Sequence, residues 1–295
     1  MNQPQIIKIV SSTDPYLKPY CNLRERTLRG ESIFIAEGRL VTERLIASEY
    51  QVESLLISAE RFETEKNGIL ATLSDDVPIY VAENSVLLDR IVGYQFYQGI
   101  LALGRRKKLP NFVEGVQQTT CNSSRPLSSQ KSFDSAQKCW VVLPKATKPD
   151  NLGLVFRCAA ALGAEAVILG EECCDPFSRR ALRVSMGGVL QLPIFQSLHL
   201  KQEILQIKEK YPDISFYATV LDDQAKNLND IDCWPCQAAF LFGNEFEGLS
   251  DDLVQLCHQK LTIPMNHSVD SLNLGVSVAL FLYDFRYGKK GAQKR

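Results

Sequence analysis

Ile263-Pro264-Met265-Asn266-His267-Ser268-Val269-Asp270-Ser271-Leu272-Asn273-Leu274-Gly275-Val276-Ser277-Val278-Ala279-Leu280-Phe281-Leu282-Tyr283-Asp284-Phe285 contains the sharpest change of pattern in the chain. A β-rich run, Leu261–Ile263, stops at Pro264, which lacks a backbone donor. A polar loop follows, and a nearly all-apolar run opens at Ser271 with Asn273 in its first turn. The pattern reads as strand, loop and helix, with Ser271 at or near the N-cap. From Leu272 to Phe285 the helix is apolar around most of its circumference, which calls for burial on more than one side. The polar residues at its mouth either cap a core helix or offer its free N–H groups and dipole to a ligand.

Two upstream segments extend this pattern. Phe242-Gly243-Asn244-Glu245-Phe246-Glu247-Gly248-Leu249-Ser250 follows an apolar strand, and its glycines permit close backbone approach to a ligand or simply a tight turn. Its spacing fits neither a dinucleotide fingerprint nor a P-loop. Asn151-Leu152-Gly153-Leu154-Val155-Phe156-Arg157 opens a helix, with Asn151 suited to an N-cap. These segments, with Ile263-Pro264-Met265 and Ser271-Leu272-Asn273, stand in the order seen in one family. The chain resembles the SpoU (TrmH-like) RNA ribose 2′-O-methyltransferases of the SPOUT superfamily over roughly half its length.

With 295 residues, 45% hydrophobic and 23% charged, the chain has room for two domains of ordinary globular composition. No apolar run is long enough to span a membrane, and the first residues carry no signal-peptide pattern, so a cytoplasmic location is expected. Nine cysteines are most simply read as free thiols. A net charge of −1 argues against nucleic-acid binding by bulk charge and leaves local basic patches. The patches are Arg24, Arg26 and Arg29; Arg105 to Lys108; Arg179 and Arg180; and Lys289, Lys290, Lys294 and Arg295. Each is either a solvated face or a phosphate contact.

Residues 1–20 hold few signals. A helix is expected over Cys21–Arg29 and ends at Gly30; a strand over 32–36 and a helix over 38–48 follow. Strands at 52–57, 78–81 and 99–103 and a helix at 83–91 complete an α/β unit of residues 1–106. Phe34–Leu40 and Gln98–Ala102 resemble the ribosomal-protein-L30e-like substrate-binding domain of the family. The resemblance implies RNA delivery by this unit, with Arg24, Arg26 and Arg29 as phosphate contacts. Glu37 and Gly38 read as turn-shaping residues. The polar composition of 107–137 predicts a flexible linker.

From residue 138 to 295 strands alternate with crossover-length helices. Strands are expected at 139–143, 166–169, 192–195, 214–220, 238–242 and 261–263, and helices at 152–162, 176–184, 198–210 and 251–257. That alternation predicts a parallel sheet covered on both faces, with ligands at the carboxyl ends of its strands. The resemblance further implies a deep trefoil knot in the C-terminal segment, against the general rarity of threaded chains.

The family likeness implies S-adenosylmethionine as cofactor, ribosomal or transfer RNA as substrate, a homodimer, and no metal. It places Gly243, Asn244, Gly248, Ile263, Leu272, Thr219 and Leu221 around the cofactor. It gives Arg157, Asn151, Glu245, Ser271 and Asn273 to the reaction site, with Arg157 as the activator of the 2′-hydroxyl. Because an arginine does not deprotonate, Arg157 is better suited to holding a phosphate and stabilising the developing alkoxide. A different group then takes the proton. Asn266 and His267 stand where the family commonly has small residues. Cys233-Trp234-Pro235-Cys236 offers two sulfurs of the four that a zinc site needs, and it precedes a strand, unlike a thioredoxin motif.

Overall fold

A computed structural model describes residues 5–23, 28, 30–121, 137–266 and 271–288. The expected helix beyond Leu23, Arg24, Arg26 and Arg29, the linker body over 122–136, His267 and the basic tail from 289 lie outside the described residues. The chain divides into two units, Met1–Lys108 with Asp175–Gln191, and Leu109–Cys174 with Leu192–Arg295.

In the first unit the described elements are β1 (Ile6–Ile9), β2 (Ile33–Glu37), α1 (Arg39–Ile46), β3 (Val52–Ser58), α2 (Ala59–Glu65), β4 (Ile79–Ala82), α3 (Ser85–Val92) and β5 (Ile100–Arg105). Five strands form a mixed sheet in the order β1-β4-β3-β5-β2. Its core joins Ile35, Leu56, Leu101 and Leu103 of the sheet to Leu88 and Ile91 of α3. Gly38 begins α1 at φ 90°, a left-handed conformation that glycine adopts without strain, and this supplies the expected turn.

In the second unit, the described chain runs through α4 (Phe112–Cys121), β6 (Lys138–Ala146), α5 (Pro149–Ala161) and β7 (Ala166–Cys173). The next helix, α6 (Arg179–Val184), belongs to the first unit. The second unit resumes with β8 (Ile194–Gln196), α7 (Leu200–Lys210), β9 (Ile214–Thr219), β10 (Lys226–Asn227), β11 (Gln237–Phe242), α8 (Asp251–Leu256), β12 (Gln259–Thr262) and α9 (Leu274–Tyr287). Seven strands, all parallel, lie in the order β10-β12-β9-β11-β6-β7-β8. Apolar central strands such as Ala238-Ala239-Phe240-Leu241-Phe242 are buried, as parallel strands covered on both faces require.

Several expectations are corrected. Residues 112–121, expected as linker, form α4, because Phe112 and Val116 share one helical face and are buried beside Trp140 and Phe195. Asn151 is not the cap of α5: the helix starts at Pro149, whose missing N–H costs nothing there, and Lys148 takes the cap position. The cap of α9 is Asn273, not Ser271; its Oδ1 accepts from Gly275 N at 2.9 Å. On α9, Val278, Phe281, Leu282 and Phe285 are buried, whereas Val276, Leu280, Tyr283 and Tyr287 form an exposed stripe. The described residues of the chain therefore cover one side of this helix.

Two basic residues considered for RNA are committed inside the first unit. Arg106 grips Asp175 with two hydrogen bonds of 2.7 Å and donates to Ile33 O and Leu28 O. Arg179 donates to Tyr94 Oη at 2.9 Å and lies 3.7 Å from the buried Glu37. Together with Phe177 against Phe34 and Tyr50, these contacts make residues 175–191 part of that unit's core.

Candidate functional site

The carboxyl ends of β9, β11 and β12 surround a cavity of about 450 Å³. α9 packs on α5, the helix after β6, and its N-terminal residues Leu274 and Ser277 line the cavity at the carboxyl edge of the sheet. Ligand crevices of parallel sheets form at such edges.

Asn244 shapes the loop after β11. Its Oδ1 accepts from Phe246 N at 2.8 Å and Glu247 N at 2.7 Å, and its carbonyl accepts from Gly248 N at 3.1 Å. The resulting turn puts Gly248 at φ 69° and folds it onto Gly243, where an added Cβ would lie 2.2 Å from Gly248 C. Glycine at 243 is thus required by the turn. The loop is tied to the end of β6 by Lys145, whose Nζ donates to Glu247 Oε2 at 2.8 Å and lies 3.0 Å from Glu172 Oε2. Those bonds raise the Lys145 pKa, and the Lys145 ammonium lowers that of Glu247. Both groups are solvated, so the pair acts as a positional tie with little net energy.

Glu245 contributes a buried Oε1 with no hydrogen-bond partner among the described residues. An orphaned buried acceptor in a cavity calls for a donor from a ligand. At the end of β9, Thr219 Oγ1 donates to Leu241 O at 2.9 Å, and beyond it Leu221 is 66% exposed at the cavity rim. Asp222 accepts from Gln224 N at 2.9 Å and from Lys260 Nζ at 2.9 Å; these bonds lower its pKa, the backbone one most. Ile263, Leu272, Leu274 and Phe281 form apolar wall.

Of the residues expected from sequence, Thr219, Leu221, Gly243, Asn244, Gly248, Ile263 and Leu272 line this one cavity, joined by Glu245 and Ser271. Asn273 stands just outside it and donates from Nδ2 to Asn151 Oδ1 at 2.9 Å, joining the starts of α9 and α5. Arg157 is elsewhere: it is exposed on α5, does not line the cavity, and its side chain makes no hydrogen bond or ion pair among the described residues. No hydrogen bond joins it to Glu245.

Met265, quoted in the Ile263-Pro264-Met265 motif without a role of its own, also lines the cavity; Asp222 and Lys260 line it too and had not been singled out, nor had Lys145 as the tie of its loop. Their only sequence signal is adjacency to Leu221, Ile263 and the end of β6. Among the described residues no three His, Cys, Asp or Glu side chains gather to hold a metal, and Cys233 and Cys236 are exposed free thiols.

Comparison with known proteins adds to this geometry. The SpoU rRNA methylase family model matches residues 138–283. An uncharacterised tRNA/rRNA methyltransferase of Mycobacterium bovis is 30% identical over 283 residues, 92% of this chain and 88% of the relative. A solved RNA 2′-O ribose methyltransferase superposes with TM-score 0.70 at 26% identity, covering 94% of this chain and 97% of its own. The S-adenosylmethionine-bound rRNA methyltransferase of Sinorhizobium meliloti shares the fold with TM-score 0.73 at 23% identity, over 95% of this chain and 97% of its own.

Proposed function

Because the chain belongs to the SpoU rRNA methylase family, we propose that its second unit moves a methyl from S-adenosylmethionine to a ribose 2′-hydroxyl of ribosomal or transfer RNA. The observation that carries this reading is the cavity, in which nine of the residues expected from sequence meet at the carboxyl edge of a parallel sheet.

The cavity suits the cofactor. Its volume of about 450 Å³ falls within the roughly 300–1,000 Å³ of small-molecule pockets. It combines apolar wall, close backbone at Gly243 and the orphaned Glu245 oxygen. When bound, the cofactor supplies an electrophilic methyl on a sulfonium. The chain supplies position and proton management. Asn244 and the Lys145–Glu247 tie fix the loop; Ile263 and Leu272 give apolar contact; and Asn273 with Asn151 holds the start of α9 against the first turn of α5. We assign proton acceptance to Glu245, whose carboxylate has an uncommitted oxygen in the cavity. Arg157 contributes a permanent positive charge for phosphate and the developing alkoxide.

Arg157 reaches that role through a homodimer. It shares a stripe of α5 with Leu154, Cys158 and Ala161, at the i, i+3, i+4 and i+7 spacing of one helical face. α5 packs on α9, whose exposed Val276, Leu280, Tyr283 and Tyr287 form an apolar surface suited to a second copy. On this reading Arg157 serves the site from the subunit contact. The L30e-like first unit binds the RNA, the C-terminal segment forms the trefoil knot, and the setting is cytoplasmic. Among the described residues no helix is long and apolar enough to cross a membrane.

The separation of Arg157 from the cavity in a single chain favours one alternative, a catalytically silent RNA-binding protein. Methyl-labelled cofactor incubated with RNA, followed by digestion to nucleosides, tests both. Label on ribose is expected; label on a base, or none despite RNA binding, rejects the proposal.

A further inference from the structure

A second cleft, of about 350 Å³, opens at the carboxyl ends of β6, β7 and β8, where Pro144, Gly170 and Ser197 line it. We propose that it holds a guanine base of the RNA substrate beside the ribose being methylated; this rests on the methyltransferase reading above.

Ser197 is fully buried, and its N–H is bonded to Leu169 O at 2.8 Å. Its hydroxyl has no hydrogen-bond partner among the described residues, although it stands in the lining of the cleft. α7 begins three residues later, and His199 at its cap position gives no side-chain hydrogen bond, so the first-turn N–H groups lack partners within the helix. One side of the cleft therefore offers donors. The other offers acceptors: the carboxylates of Glu171, Glu172 and Asp252.

Charge sets the ligand class. Glu171 lies 4.0 Å from His199, Glu172 lies 3.0 Å from Lys145, and Asp252 lies 2.7 Å from Lys201. Lys145 is further shared with Glu247. Among the described residues that line the cleft no surplus cation is left for a phosphate, so the helix N-terminus serves a neutral acceptor. The ligand needs adjacent N–H donors next to a carbonyl oxygen. Among the standard bases the Watson–Crick edge of guanine has this arrangement, with N1–H and the 2-amino group beside O6, and unpaired RNA bases are read on that edge. Carboxylates accept from the two donors, while the α7 amides and Ser197 hydroxyl meet O6.

The location fits a substrate subsite. Leu249 and Asp251 line the first cavity, and Ser250, Asp252 and Leu253 line the cleft, so a single turn of chain separates them. Lys145 spans the same boundary, bonded to Glu247 on one side and Glu172 on the other.

Ligand-observed NMR on the full chain loaded with S-adenosylhomocysteine provides the test, with GMP, IMP and AMP as probes. GMP is expected to bind about tenfold or more tighter than AMP, with IMP, which lacks the 2-amino group, in between. Glu171→Gln and Ser197→Ala should each weaken GMP by about fivefold without changing calorimetric affinity for S-adenosylhomocysteine. Equal affinity for GMP and AMP, or GMP binding indifferent to both substitutions, overturns the proposal. Methyl transfer with no GMP preference rejects this subsite alone; selective GMP binding without transfer rejects the enzyme reading alone.

Discussion

Asn273 holds two helices in register at once: its Oδ1 accepts from Gly275 N at 2.9 Å, capping α9, while its Nδ2 donates to Asn151 Oδ1 at 2.9 Å in the first turn of α5. One side chain thereby sets both the start of the C-terminal helix and its position against the helix that carries Arg157.

Replacing Asn273 separates these duties. Asn273→Ala removes cap and bridge, and a destabilisation of about 1–2 kcal/mol is expected. Asn273→Ser keeps a capping oxygen but cannot reach Asn151 as a donor amide, so it should recover most of the stability and little activity. Denaturant unfolding and methyl-transfer rates on the two variants check this. Equal recovery of both properties by serine would remove the bridge from the account.

Gly243→Ala tests the cofactor loop. The added methyl would collide with Gly248 C at 2.2 Å, a backbone atom that moves only with the whole turn. An overpacking cost of about 1–3 kcal/mol is expected to appear as a roughly 10- to 100-fold loss of cofactor affinity in calorimetry. Unchanged affinity would place the cofactor elsewhere.

His258 carries a pH dependence. Burial, then the charge of Lys208, lowers its pKa below the ordinary imidazole value of 6.5, and its Nδ1 lone pair accepts Phe216 N at 2.8 Å. Above that value the ring is neutral in both folded and unfolded chains. As pH falls, the unfolded chain takes up the proton first, so this contribution to stability declines until the folded ring is also protonated. Melting temperatures followed from neutral pH to about 5 should fall less steeply in His258→Asn than in the parent. A steeper fall in the variant would reverse the assigned sign.

The exposed stripe of α9 predicts the oligomer. Tyr283 is 58% exposed in the single chain, and Leu280 stands one turn before it. Leu280→Arg with Tyr283→Arg should convert a dimer to a monomer in light scattering, change monomer stability by less than about 1 kcal/mol, and abolish methyl transfer. A monomeric parent, or a fully active monomeric variant, contradicts the placement of Arg157 at the subunit contact.

The parallel sheet was legible because its strands are apolar runs, such as Ala238 to Phe242, punctuated by glycine, proline and amphipathic helices. β1 was missed: Ile6-Ile7-Lys8-Ile9 has strand character, but its partner β4 begins at Ile79, far along the chain. α2 has little apolar signal and is supported by ion pairs such as Arg61 with Glu65. α4 was hidden in polar composition, with Phe112 and Val116 as its buried contacts. Residues 175–191 follow the local pattern of the second unit, and no periodicity reports that Asp175 bonds to Arg106. The cavity residues were legible as motifs; Asp222, Lys260 and Lys145 gain their places from side-chain pairing that spacing does not encode.

The most direct measurement is nucleoside mass spectrometry of total ribosomal and transfer RNA from a strain lacking this protein, its parent, and strains restored with wild type or Arg157→Ala. One 2′-O-methylated nucleoside should vanish on deletion, return with wild type, and stay absent or fall at least about 100-fold with Arg157→Ala. Persistence of every ribose methylation in the deletion strain, while the purified protein still binds RNA, would contradict the account.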